Sequence, residues 1–111
     1  MFYKKNNADY KQVLPGISLK TLVHGEKTLF TEFRMKGGSL LPDHAHPHEQ
    51  TGYLVSGQMK LTIANETFEV APGDSWCVPG NVRHQAEILA DSVVIEVFSP
   101  VRVEYLPQNL K

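Results

Sequence analysis

Apolar and polar residues alternate along this chain in short stretches, each closed by glycine, proline or a polar pair. Leu29, Thr31, Phe33 and Met35 alternate with Phe30, Glu32, Arg34 and Lys36 before Gly37-Gly38 interrupts the run. Side chains two apart on an extended strand share a face, so this period is that of a strand with one face buried. Tyr53-Leu54-Val55 reads as a strand ended by Ser56-Gly57, and Lys60 to Ala64 meets Thr67 to Val70 across Asn65-Glu66 as a hairpin. Pro72-Gly73-Asp74 turns the chain into Ser75 to Val78, and Pro79-Gly80-Asn81 turns it again. Val93 to Phe98 is the most β-branched run and is closed by Ser99-Pro100. Nowhere do apolar residues recur at three and four over a helix-length window. The pattern predicts an all-β sandwich or barrel.

Composition narrows the picture. The 111 residues, 41% hydrophobic and 21% charged, suit one globular domain over positions 1–111, with no room for a second core. Eleven basic against twelve acidic residues give a net charge of -1 and no electrostatic footprint for nucleic acid or an anionic membrane. The single cysteine, Cys77, cannot form an internal disulfide, and its neighbours Trp76 and Val78 suggest a packed, inert thiol. Met1 to Val13 is polar, and no run approaches the ~20 apolar residues of a spanning helix, so the expected location is cytoplasmic. There is no glycine-rich phosphate loop and no dinucleotide fingerprint.

Four of the five histidines, His44, His46, His48 and His84, concentrate the candidate chemistry. In an extended chain His44 and His46 point the same way, and Gln50 has the same parity if the strand resumes in register after Pro47. Donors converging from one side at about 2.0–2.1 Å are what a divalent metal requires of imidazole. His84, just past the Pro79 turn, is the obvious third imidazole. His48, between Pro47 and Glu49, suits a supporting or solvent-facing role, and His24, beside Gly25, a turn. Glu49 has the wrong parity to replace Gln50.

These residues resemble the cupin family. Its first motif, a glycine, five residues, His-x-His, three or four residues, a glutamate, six residues and a glycine, is matched by Gly38, His44, His46, Gln50 and Gly57, with glutamine for glutamate. The second, over positions 73–88, is matched by Gly73, Pro79 and His84, with Asn81 in place of a glycine and Ile88 in place of an asparagine. The resemblance implies a small jelly-roll barrel, a double-stranded β-helix, holding one divalent ion (nickel, zinc, iron or manganese) on His44, His46, Gln50 and His84. It also implies a homodimer, in which a strand from Gly16 to Val23 covers an exposed sheet edge of the partner.

His-Ala-His-Pro-His-Glu-Gln, then Val-Pro-Gly-Asn-Val-Arg-His, then Glu-Val-Phe-Ser-Pro-Val-Arg is similar to the KdgF-type cupins of pectin and alginate breakdown. That likeness implies ring opening of 4,5-unsaturated uronates to 4-deoxy-5-keto sugar acids. Glu96, Phe98 and Arg102 match the catalytic carboxylate, aromatic and arginine of that group, with glutamate where the group typically has aspartate. Strand alternation alone leaves open whether Glu96, Phe98 and Val94 face inward or Val93, Ile95 and Val97 do. Three neutral imidazoles and an amide leave a divalent ion at a formal +2, which suits an acidic small-molecule substrate. The alternatives are a cupin dioxygenase or isomerase, a non-catalytic sugar-binding cupin, and a metal-free barrel.

Overall fold

The computed structural model describes residues 1–110. Its eight strands are β1 (Lys11–Leu14), β2 (Ile17–His24), β3 (Leu29–Met35), β4 (Leu40–His44), β5 (Glu49–Ile63), β6 (Glu66–Val70), β7 (Ser75–Val78) and β8 (His84–Ser99). Two 3-10 turns follow, Val103–Tyr105 and Pro107–Asn109. Among the described residues no helix is long and apolar enough to cross a membrane.

Two long strands organise the sheet. β5 and β8 run antiparallel from Glu49↔Ser99 to Ile63↔His84. Each changes its outer partner halfway: β8 pairs β4 near His84 and β3 from Ser92 onward, while β5 pairs β7 from Gln50 to Tyr53 and β6 from Met59 to Ile63. The inner face encloses a core that includes Ile17, Leu19, Phe33, Leu54, Ile88 and Val94. Each such side chain contributes roughly 1.5–3 kcal/mol through removal from water.

The Leu29–Met35 alternation holds: Leu29, Thr31, Phe33 and Met35 are buried. The Ser75–Val78 strand forms where the sequence puts it, and the hairpin forms with its turn one residue earlier, at Ala64-Asn65, because Glu66 pairs with Ile63. Ser56-Gly57, however, is not a strand end. β5 runs through it as a bulge, with register shifts between Leu54 and Met59 and φ +105° at Gly57. From Leu54↔Val94 to Met59↔Ile88 β5 advances five positions while β8 advances six. The odd step switches the parity of β5, so that Gln50, Gly52 and Leu54 face inward before it and Met59 and Leu61 after it. A Cβ at Gly57 would lie 2.1 Å from Ser92 Oγ and 2.5 Å from the Asp91 carbonyl, so only glycine fits.

The stretch before His44 is strand β4, paired with β8 as Leu41↔Ala86 and His44↔His84. One further expectation changes. Cys77 is exposed, because the two-residue period of β7 turns Trp76 and Val78 inward and the thiol outward. The strand over Ile17–His24 pairs with β3 along its length and with β1 only from Ile17 to Leu19.

Candidate functional site

Strand register lays the inward side chains out in rows. Val78, Gln50, Phe98 and Leu29 lie across four neighbouring strands, followed by Trp76, Gly52, Glu96 and Thr31. Gln50 is therefore one row from Glu96 on the adjacent strand, within diagonal reach for long side chains. His84 opens β8, His44 ends β4 directly opposite it, and His46 follows in the connection to β5.

His44, His46 and His84 each offer a ring nitrogen, all within 4.8 Å of one another. The second nitrogen of each ring is committed. Nδ1 of His44 donates to the Pro42 carbonyl at 2.7 Å, Nδ1 of His46 to that of His48 at 3.0 Å, and Nδ1 of His84 to that of Val82 at 2.9 Å. This fixes one tautomer for all three rings and leaves their Nε2 lone pairs free to ligate. The His84 Nε2 is buried and has no hydrogen-bond partner. Gln50 Oε1 adds a fourth donor, 2.9 Å from His46 Nε2. Ligands each about 2.1 Å from one ion stand roughly 3.0–3.4 Å apart at octahedral or tetrahedral angles, so the three rings close on a cation by drawing inward. A convergent set of lone pairs, one of them orphaned, fits a divalent metal.

Electrostatics keep the set ready to ligate. Burial lowers His84 to about 4. It also lowers His46, with the Arg102 charge acting in the same direction. Both rings are therefore neutral at pH 7.

Glu96 faces inward with Val94 and Phe98, while Val93, Ile95 and Val97 are only partly covered on the other face. Burial pushes its carboxyl up to about 8, opposed by the Gln50 amide and the Trp76 indole beside it. Neither Glu96 Oε2 nor Trp76 Nε1 attains hydrogen-bond geometry, and both are buried without partners. At neutral pH Glu96 is thus chiefly a carboxylic acid with a proton to give.

Phe98 is buried and meets His46 edge-on, with centroids 5.9 Å apart. Arg102 lies over the rings of Tyr105 at 4.2 Å and Phe98 at 5.3 Å, and its Nε is 3.3 Å from Glu104 Oε2. His44, Gln50, His84, Glu96, Phe98 and Arg102 all line one cavity. His48 stays outside the triad and supports it through its carbonyl, while His24 ends β2 and takes no part.

Sequence reasoning missed two residues here. Tyr105 lines the same cavity from a 3-10 turn, where no strand period marks it. Trp76 reaches the site only because residue 52, opposite it on β5, is glycine.

The Cupin domain family matches residues 31–98. The pectin degradation protein KdgF of Dickeya dadantii is 23% identical over 107 residues, spanning 95% of this chain and 97% of its own. The structure of KdgF from Halomonas sp. superposes with a TM-score of 0.90 at 31% identity, covering 96% of this chain and all (100%) of the other. An RmlC-like cupin from Shewanella frigidimarina superposes at 0.85 with 22% identity over 96% of this chain and 100% of its own, a likeness of fold.

Proposed function

This chain belongs to the cupin family and is closely related to its KdgF-type members, and from that premise we propose that it opens the ring of 4,5-unsaturated uronate monosaccharides. The observation that carries the proposal is the buried, largely protonated Glu96 in one cavity with Arg102 and with His44 and His84 of the three-histidine cluster.

His44, His46, His84 and Gln50 are the residues that would hold a divalent ion, and nitrogen with amide oxygen suits nickel, zinc, iron or manganese. Such an ion would supply positive charge and Lewis acidity toward the sugar carboxylate. Arg102 pairs its planar fork with that carboxylate. Phe98 and Tyr105 wall the cavity with apolar surface and limit the water around the sugar.

Glu96 delivers its proton to C4 of the enol ether, and water adds at C5, returning a proton to the carboxylate. The resulting hemiketal opens by cleavage of the bond between C5 and the ring oxygen, leaving a ketone at C5. The ring oxygen departs with C1 as an aldehyde hydrate, which loses water. One water enters and one leaves, so the product is an isomer of the substrate and no oxidant is consumed.

The test is incubation of metal-loaded protein with the 4,5-unsaturated galacturonate monomer, followed by loss of its conjugated absorbance. The expected result is first-order decay proportional to enzyme concentration. No acceleration over buffer with metal bound retires the proposal.

A further inference from the structure

Glu96 Oε2 and Trp76 Nε1 are a buried acceptor and a buried donor, and each lacks a partner. An orphaned buried polar group costs about 1–3 kcal/mol, so two of opposite kind at one site call for a common explanation. The strand rows supply it. Trp76 and Glu96 are both paired with Gly52, one from β7 and the other from β8, and all three face inward. Two strand spacings, roughly 9–10 Å, separate their backbones, too far for most side chains to bridge. Gly52 leaves the intervening surface open, and the indole lies across it. A Cβ at position 52 would stand 2.3 Å from Trp76 Nε1 and Cε2. The N–H edge of the ring therefore rests over the glycine, on the path to the longer arm that glutamate brings to position 96.

We propose that Trp76 is a positioning residue for Glu96: its indole N–H, carried over Gly52, donates to the Glu96 carboxyl and fixes where that carboxyl meets the substrate. Gln50 bounds the carboxyl on one side and Trp76 on the other. Thr31 Oγ1 donates to the Glu96 backbone carbonyl at 2.9 Å and fixes the strand beneath it.

The chain has one tryptophan, so its indole gives a single ¹⁵N–¹H correlation that needs no assignment. In zinc-loaded protein the correlation is expected downfield in the wild type, and Glu96→Ala moves it upfield and speeds exchange of the indole proton with solvent. An unchanged resonance and exchange rate in Glu96→Ala overturns the proposal. The kinetic arm rests on the uronate reading. Trp76→Phe, which keeps an aromatic ring and removes the N–H, lowers kcat about tenfold at unchanged KM and zinc content. In a Glu96→Asp background, where the shorter arm falls short of the indole, the same substitution costs nothing. An equal loss in both backgrounds, or a loss appearing only in KM, overturns it. If the wild type leaves unsaturated uronates untouched, the uronate reading fails and the resonance alone decides the contact.

Discussion

Oε1 of Gln50 lies 2.9 Å from Nε2 of His46, a ring whose other nitrogen already donates to the His48 carbonyl at 3.0 Å. A neutral imidazole has one N–H, so two lone pairs confront each other here, an unfavourable contact that a shared cation turns into an attraction. The same donor set with glutamate at position 50 would leave a divalent ion at a formal +1 in place of +2. Gln50→Glu is expected to tighten metal binding roughly tenfold or more, measured by chelator competition, and to weaken affinity for an acidic sugar. Unchanged metal affinity would place Gln50 outside the ligand set.

The metal-stripped protein should lose stability as pH rises from 6.5 to 8. Burial lowers His84 to about 4 and also lowers His46, so the unfolded chain takes up protons that these rings refuse. Their stabilisation is complete above 6.5 and is lost as pH falls toward 4. Glu96 has the opposite sign: burial raises its folded value from 4.5 to about 8, so stability falls as pH rises through that interval. Below pH 6.5 the imidazoles oppose the carboxyl; above it Glu96 acts almost alone, with a loss on the order of 2 kcal/mol by pH 8. Urea midpoints across pH 5–8 check the shape. In Glu96→Gln the decline above 6.5 should vanish, and its persistence would assign the slope to another group.

Much of this architecture is legible in the chain, for physical reasons that also mark where legibility stops. A two-residue period is local, so the parity of His44 and His46 and the buried face of Leu29–Met35 can be read directly. The inward turn of Glu96 could not, because Val94 and Phe98 on its face are as apolar as Val93, Ile95 and Val97 on the other. Gly57 misleads because a bulge and a turn both need positive φ, and only the partner strand tells them apart. Trp76 depends on Gly52, twenty-four positions away, through a register that no local window contains. Cys77 is the converse case: parity with exposed Ser75 argued for the surface, and its apolar neighbours argued wrongly for packing.

Arg102 sits mostly covered, stacked on Tyr105 and paired with Glu104. Arg102→Lys keeps the charge and loses the fork, so KM for the unsaturated uronate should rise about tenfold while kcat changes little. Glu104→Ala releases the guanidinium from its internal partner and should leave KM equal or lower. Steady-state kinetics of both variants check the pair. A rise in KM for Glu104→Ala would show that the internal ion pair, and not the free fork, is the binding-competent state.

Gly57 carries the parity switch on which both halves of β5 depend. Before the bulge Gln50 and Leu54 are buried, after it Met59 and Leu61, and without the register shift one set would turn to solvent. Gly57→Ala meets a positive φ and a collision with Ser92 together, so it should cost roughly 2–4 kcal/mol in urea denaturation. Gly38→Ala is the matched control. Gly38 has φ +91° with nothing within 4 Å of a Cβ, so it should cost only the backbone strain of about 1–2 kcal/mol. The difference between the two variants measures the collision. Metal affinity per folded molecule should be unchanged in Gly57→Ala, because Gln50 keeps its pairing with Val78 and Phe98 at the far end of the strand. Loss of metal from folded Gly57→Ala would mean that the bulge sets the register of the ligands as well as that of the core.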